Sequence, residues 1–145
     1  MFVRKQGKTK FMWYPMTAST VALKGALMAL ASGKIVPATN TQKAYYIVGV
    51  LRHTIATTDA NYTSERLVEV EVPVEKNVIW KADVTDGTLA TTSVGLYFDL
   101  STDDTGIGVD QGASAENVCF CTKFLTTALG EFILNMGPEA CGDID

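Results

Sequence analysis

An all-β fold, a small antiparallel β-barrel or sandwich with an extended N-terminal arm, is what this sequence predicts, and three observations carry it. In Leu67 to Val74 apolar and polar residues alternate: Val68, Val70, Val72 and Val74 share one face, and Glu69 and Glu71 point the other way. Further short segments rich in β-branched and aromatic residues recur along the chain, with glycine-containing turn pairs between them. The third observation is size: 145 residues with 47% hydrophobic content fit one domain that builds its core without metals or disulfides.

Taken in order, residues 1–14 are expected to form a basic-aromatic arm. Arg4, Lys5, Lys8 and Lys10 give the first ten residues a charge of +4 with no acid, and Phe11, Met12, Trp13 and Tyr14 follow directly, ending at Pro15. Large aromatics beside cations are either the anchor of the arm on its own barrel or hot-spot residues for a partner, and the segment is expected to act as a docking arm, flexible in the isolated protein and ordered on assembly. Residues 15–137 form the barrel. Within it, Ala18 to Ala31 is contested, because Leu23, Leu27 and Leu30 fall at helical spacing behind Ser19, a residue suited to capping. Lys24-Gly25 interrupts that helix and Ser32-Gly33 reads as a hairpin turn, so the segment is assigned to strands. Tyr45 to Ile55, Leu67 to Val74, Val78 to Val84, Val94 to Leu100, Val118 to Leu125 and Glu131 to Asn135 complete the set. Turns are expected at Asp86-Gly87, Thr105-Gly106, Gln111-Gly112 and Leu129-Gly130. Residues 138–145 form an acidic tail.

Charge is distributed unevenly: residues 11–98 are neutral, and 99–145 carry −8. The basic start and acidic end could meet within one molecule or between neighbouring copies. An acidic body repels phosphates, so nucleic acid is not expected as a partner. The basic start is not followed by an unbroken apolar run, so no export signal is expected, and Val21 to Ala31 is too short to span a bilayer. Cys119, Cys121 and Cys141 are an odd number, which agrees with synthesis in a reducing compartment. Charged residues are 19% of the chain, a low share that suggests part of the surface is covered by assembly.

No residues stand out as catalytic, cofactor-binding or metal-binding. His53 has no catalytic signature around it; the one enzymatic reading would pair it with a carboxylate such as Asp59. Cys119 and Cys121 alternate with Val118 and Phe120 and read as core, whereas Cys141 is placed to crosslink neighbouring copies. Asp99, Asp103, Asp104 and Asp110 form an acidic stretch without EF-hand spacing, which reads as a solvated loop and leaves cation binding open.

The order of segments also resembles a known group. Lys24-Gly25-Ala26-Leu27-Met28, Ser32 to Ala38, Tyr46 to Leu51, and the later Val94 to Leu100, Gly106 to Asp110 and Phe132 to Asn135 are similar to the head decoration, or capsid cement, proteins of tailed phages. The resemblance covers roughly residues 20–135. It implies a compact, non-catalytic β-barrel, often trimeric, that sits on the outside of the virion, binds the major capsid protein and bridges capsomers. Arg4, Lys5, Lys8, Lys10, Phe11, Trp13 and Tyr14 are the residues expected to engage the shell or a neighbouring copy. The alternative is a head-fibre or tail-associated adhesion domain that binds a host surface glycan.

Overall fold

The computed structural model describes residues 1–136. The strands are β1 (Val3–Gln6), β2 (Thr9–Met16), β3 (Leu27–Ala31), β4 (Lys34–Pro37), β5 (Ile47–Leu51), β6 (Arg66–Pro73), β7 (Ile79–Asp86), β8 (Tyr97–Leu100), β9 (Gly108–Asp110), β10 (Cys119–Thr126) and β11 (Leu129–Leu134). Helical structure among the described residues is confined to two single 3-10 turns, Ala44–Tyr46 and Thr91–Ser93. The all-β expectation holds.

The first unit is a closed five-stranded barrel in the order β2-β4-β3-β5-β6. β2 and β6 pair antiparallel along their whole length, from Thr9 opposite Pro73 to Met16 opposite Arg66. Their alternation turns Met16, Val68, Val70 and Val72 inward, where they meet Met28, Ile35, Val48 and Leu51. β3 and β4 form the hairpin expected at Ser32-Gly33. Both residues have positive φ, 53° and 78°, the backbone shape of a two-residue turn whose twist matches the strands it joins. A single parallel contact, Met16 beside Ile35, closes the ring.

The second unit is a sheet in the order β1-β7-β11-β10-β8-β9, and β9 also pairs in parallel with β7. That pairing lets β7, β11, β10, β8 and β9 close on themselves. Their inner face carries Trp80, Ala82, Phe98, Leu100, Val109, Cys119, Cys121 and Phe132. The same cluster takes Leu27, Ala29, Ile47 and Val50 from the outer wall of the first barrel. β3 and β5 are therefore buried on both faces, which is why Leu27–Ala31 and Ile47–Leu51 read as continuous apolar runs rather than alternating ones. The loop before β9 ties the units further: the Leu27 N–H donates to the Gly106 carbonyl at 2.8 Å. Gly106 has φ of 70°, and a Cβ there would lie 2.5 Å from the Leu27 oxygen, so only glycine fits.

Several expectations are corrected. Residues 1–14 are not an extended arm. β1 pairs with β7, and β2 is a barrel stave, because alternate residues of Thr9–Met16 supply apolar side chains that the barrel needs. Phe2 is buried in the shared core at 2% exposure, and the N-terminal amine pairs with Asp83 at 2.6 Å. Of Ala18 to Ala31, only Leu27–Ala31 is a strand; the preceding residues form an irregular crossing pinned by the Ala22–Ile55 bridge. Tyr45 to Ile55 contracts to Ile47–Leu51, and Val94 to Leu100 to Tyr97–Leu100. Leu129-Gly130 lies inside β11, with the chain reversing before it, between Thr126 and Leu129. Val74 is 37% exposed and leaves the apolar face that Val68 to Val72 share. The acidic tail 138–145, with Cys141, lies outside the described residues.

Candidate functional site

β2 is held along its length by β6 and meets β4 at Met16, and its odd-numbered residues face outward on the barrel wall. Phe11 and Trp13 are 52% and 58% exposed there, roughly 7 Å apart along the strand. Opposite them in register stand Glu71 and Glu69, and Leu67, 62% exposed, lies opposite Pro15. Arg52, just beyond the end of β5, reaches across. Its guanidinium carbon sits 4.4 Å above the Phe11 ring while its Nε lies 3.4 Å from Glu69. The His53 ring stands 6.5 Å from that of Trp13. The result is an apolar stripe of Phe11, Trp13, Pro15 and Leu67 bordered by Arg52, His53 and Glu69. Exposed aromatics grouped on one strand face make this stripe the candidate contact surface.

The structure divides the expected docking residues. Phe11 and Trp13 belong to the stripe. Lys5 and Lys8 are exposed on β1 and the turn after it, Lys10 is half-buried in phase with Met12 and Tyr14 rather than with the stripe, and among the described residues the three make no ion pair. Tyr14 instead turns toward the barrel core, and burial raises its phenol pKa. Arg4 is committed internally: its Nε donates to Glu71 Oε1 at 2.6 Å, and the Thr9 hydroxyl donates to the same oxygen at 2.8 Å. Glu71, only 7% exposed, is thus a buried carboxylate that joins β1 of the second sheet to the first barrel. Such a charge is tolerated only with its partners in place.

Leu67, Arg52 and His53 were not among the residues expected at this face. For Leu67 the signal was available. It falls in phase with Glu69 and Glu71, so it is an apolar residue on the polar side of β6. Arg52 and His53 follow a strand that lacks alternation, so no periodicity pointed to their direction.

The acidic stretch is explained locally. Asp99, 3% exposed, accepts the N–H groups of Ala115, Glu116 and Asn117 at 2.8 to 2.9 Å and so pins the loop before β10. Asp103 accepts from Thr105, Asp104 from the Asn40 N–H, and Asp110 from the Gly112 N–H. Asp86 accepts the Thr102 N–H, the Ser101 hydroxyl and the Thr102 hydroxyl at 2.8, 2.8 and 3.0 Å. The Thr102 N–H first, then the two hydroxyls, hold its carboxyl pKa below the ordinary 3.8. A depressed carboxylate pKa adds stability above the unfolded-state value, and that stability is lost as pH falls through the folded-state value. Asp86→Asn is therefore expected to be less stable than the parent at pH 7, with the gap closing below about pH 3.8, as pH-dependent thermal melts would record.

Among the described residues no group of three or more His, Cys, Asp or Glu side chains is gathered as a metal site. Asp59 is engaged by Arg66 at 3.2 Å and by the Ala56 N–H at 3.1 Å, whereas His53 faces Trp13. Cys119 and Cys121 are free thiols buried inside the second sheet, as the alternation in β10 implied. Burial pushes both thiols up, away from the reactive thiolate form, with the nearby Asp99 carboxylate adding to the effect at Cys119.

A scan against protein-family models gives no match to this chain, and a search of curated proteins finds no significant relative.

Proposed function

We propose that this chain is a structural protein of a tailed-phage virion that binds the outside of the capsid and bridges capsomers without catalysis. The observation that carries the reading is the Phe11, Trp13, Pro15 and Leu67 stripe, a docking face held on a closed barrel. The order of sequence segments, which resembles capsid cement proteins, supports the same reading. Its partners are the major capsid protein and neighbouring copies of itself, with a homotrimer as the form the resemblance implies, and its location is the capsid exterior.

A clamp of this kind works by rigidity and repetition. The shared core and the Arg4–Glu71 link join both units into one body. Force carried from one capsomer to the next therefore meets packed sheet rather than a hinge. Each copy adds a modest contact, and the symmetry of the shell multiplies it. Lys5, Lys8 and Lys10 steer the encounter, while the aromatics hold the complex once formed.

Burial of Trp13 contributes about 2–3 kcal/mol. Trp13→Ala is thus expected to weaken attachment to capsids lacking this protein by roughly 30- to 150-fold. Neutralising Lys5, Lys8 and Lys10 together should mainly slow attachment and flatten its salt dependence. Sedimentation of labelled protein with such capsids measures both effects. Equal retention of Trp13→Ala and parent would remove the stripe from the docking face.

The same stripe supports a second reading, an adhesion domain for a host surface glycan. The exposed Trp13 ring and the face of Phe11 not covered by Arg52 can stack on sugar faces while Arg52, Glu69 and His53 bond to hydroxyls. Glycan-array binding that is lost in Trp13→Ala, without capsid binding by the parent, would favour it.

A further inference from the structure

The ring of the first barrel closes only at the end of β2. β4 meets β2 where Met16 lies beside Ile35, because two residues earlier β4 has already turned into the Ser32-Gly33 hairpin. From Thr9 to Pro15, β2 therefore has β6 on one side and, among the described residues, no strand on the other. The inward side chains record this gap. Met16 at the closure is 1% exposed, whereas Met12 and Tyr14, in phase with it, are only half-buried.

The ladder with β6 determines which backbone groups face the gap. The Val74 N–H donates to the Lys8 carbonyl at 3.1 Å, one residue beyond the Thr9–Pro73 pair, so Lys8 and Val74 form a hydrogen-bonded pair. Opposite residues of antiparallel strands alternate between bonded and unbonded pairs. Lys10, Met12 and Tyr14 thus bond to β6, and Phe11 and Trp13 turn their N–H and carbonyl groups toward the gap. Pro15 and Pro73, which have no N–H, both fall on unbonded pairs, as this phase requires. The far edge of β6 agrees, since the Glu69 carbonyl accepts the Arg52 N–H at 3.1 Å on the β5 side. Unpaired backbone groups along a strand edge are a template for another strand.

We propose that β2 takes an extended segment of a partner chain as an added strand, with Phe11 and Trp13 exchanging backbone hydrogen bonds with it. The gap dictates the chemistry of that segment. Its alternate residues are apolar where they cover Met12 and Tyr14, and the next residue in that phase is a carboxylate opposite Lys10, which makes no ion pair among the described residues. This inference rests on the β2 wall as the docking face and adds the way in which the partner is held.

Amide hydrogen exchange of the full chain, followed residue by residue by nuclear magnetic resonance, tests the edge without a capsid, so it can fail while the Trp13→Ala capsid assay stands, and the reverse. In the free protein the Phe11 and Trp13 amides should exchange fast, and those of Met12 and Tyr14, bonded to β6, slowly. The probe is the acetylated and amidated peptide Thr-Val-Thr-Val-Thr-Glu-Thr. Laid antiparallel, it places its valines over Tyr14 and Met12 and its glutamate opposite Lys10. With about nine tenths of the protein bound, the peptide should slow the Phe11 and Trp13 amides roughly tenfold and leave those of Met12 and Tyr14 unchanged. Lysine in place of its glutamate should weaken binding roughly three- to tenfold. N-methylation of the two threonines opposite Phe11 and Trp13 removes the donors to their carbonyls and should abolish the effect. Phe11 and Trp13 amides that are already slow in the free protein would show the edge to be covered and overturn the assignment. So would a peptide that leaves their exchange unchanged at millimolar concentration, or that binds equally well when N-methylated.

Discussion

Deleting residues 1–14 is expected to leave the chain unfolded, not merely unable to dock. The deletion removes β1 and most of β2, and with them the antiparallel ladder that covers one side of β6. Val68, Val70 and Val72, each at most 3% exposed, would then face water, as would the cavity left by Phe2 in the shared core. Loss of Phe2 alone costs about 3–5 kcal/mol. Glu71 would also lose Arg4 and Thr9 and remain as a poorly compensated charge. Together these losses match or exceed the roughly 5–15 kcal/mol of a typical domain. Far-ultraviolet circular dichroism and gel filtration of the truncated chain read the outcome, and a compact β-rich product would contradict it.

Phe132→Ala is expected to lower stability by about 3–5 kcal/mol and to do so for both units at once. Phe132 is 0% exposed, and its cluster joins Trp80, Phe98 and Cys121 of the second sheet to Leu27, Ala29 and Val50 of the first barrel. A cavity there weakens the packing that each unit presents to the other. The two tryptophans report separately, Trp13 from the barrel wall and Trp80 from inside the second sheet. Within the Trp13→Phe background, the Trp80 fluorescence curve should coincide with the far-ultraviolet circular dichroism curve for the whole chain, and both should shift together when Phe132→Ala is added. Two separate transitions would mean that the sheets fold independently.

The fold was legible where one face of a strand meets core and the other does not. β6 and β10 show this: Val68, Val70 and Val72, and Cys119 and Cys121, turned inward as their spacing indicated. The hairpin at Ser32-Gly33 was legible from turn chemistry, since its backbone needs residues that tolerate positive φ. What was hidden is the second use of β3 and β5. Leu27 and Ala29 serve one core while Met28 serves the other, so the sequence keeps no polar phase, and helical spacing competes with the strand reading. The N-terminal segment misled for a different reason. Its four cations suggest a solvated arm, and the unbroken apolar run from Phe11 to Met16 keeps no polar phase, so the inward turn of Met12, Tyr14 and Met16 shows only in the closed barrel. Within the candidate site, Phe11 and Trp13 were legible as large aromatics beside cations. The inward turn of Tyr14 and the internal pairing of Arg4 depend on register with β6 and on Glu71, which only the assembled sheet supplies.

Electron cryomicroscopy of particles with this protein bound is expected to show density for a two-sheet body on the capsid exterior at capsomer boundaries, with the β2 wall and its Phe11, Trp13 and Leu67 side chains against a neighbouring chain. Particles that stay bare at saturating protein, or a bound molecule whose β2 wall faces solvent, would contradict it.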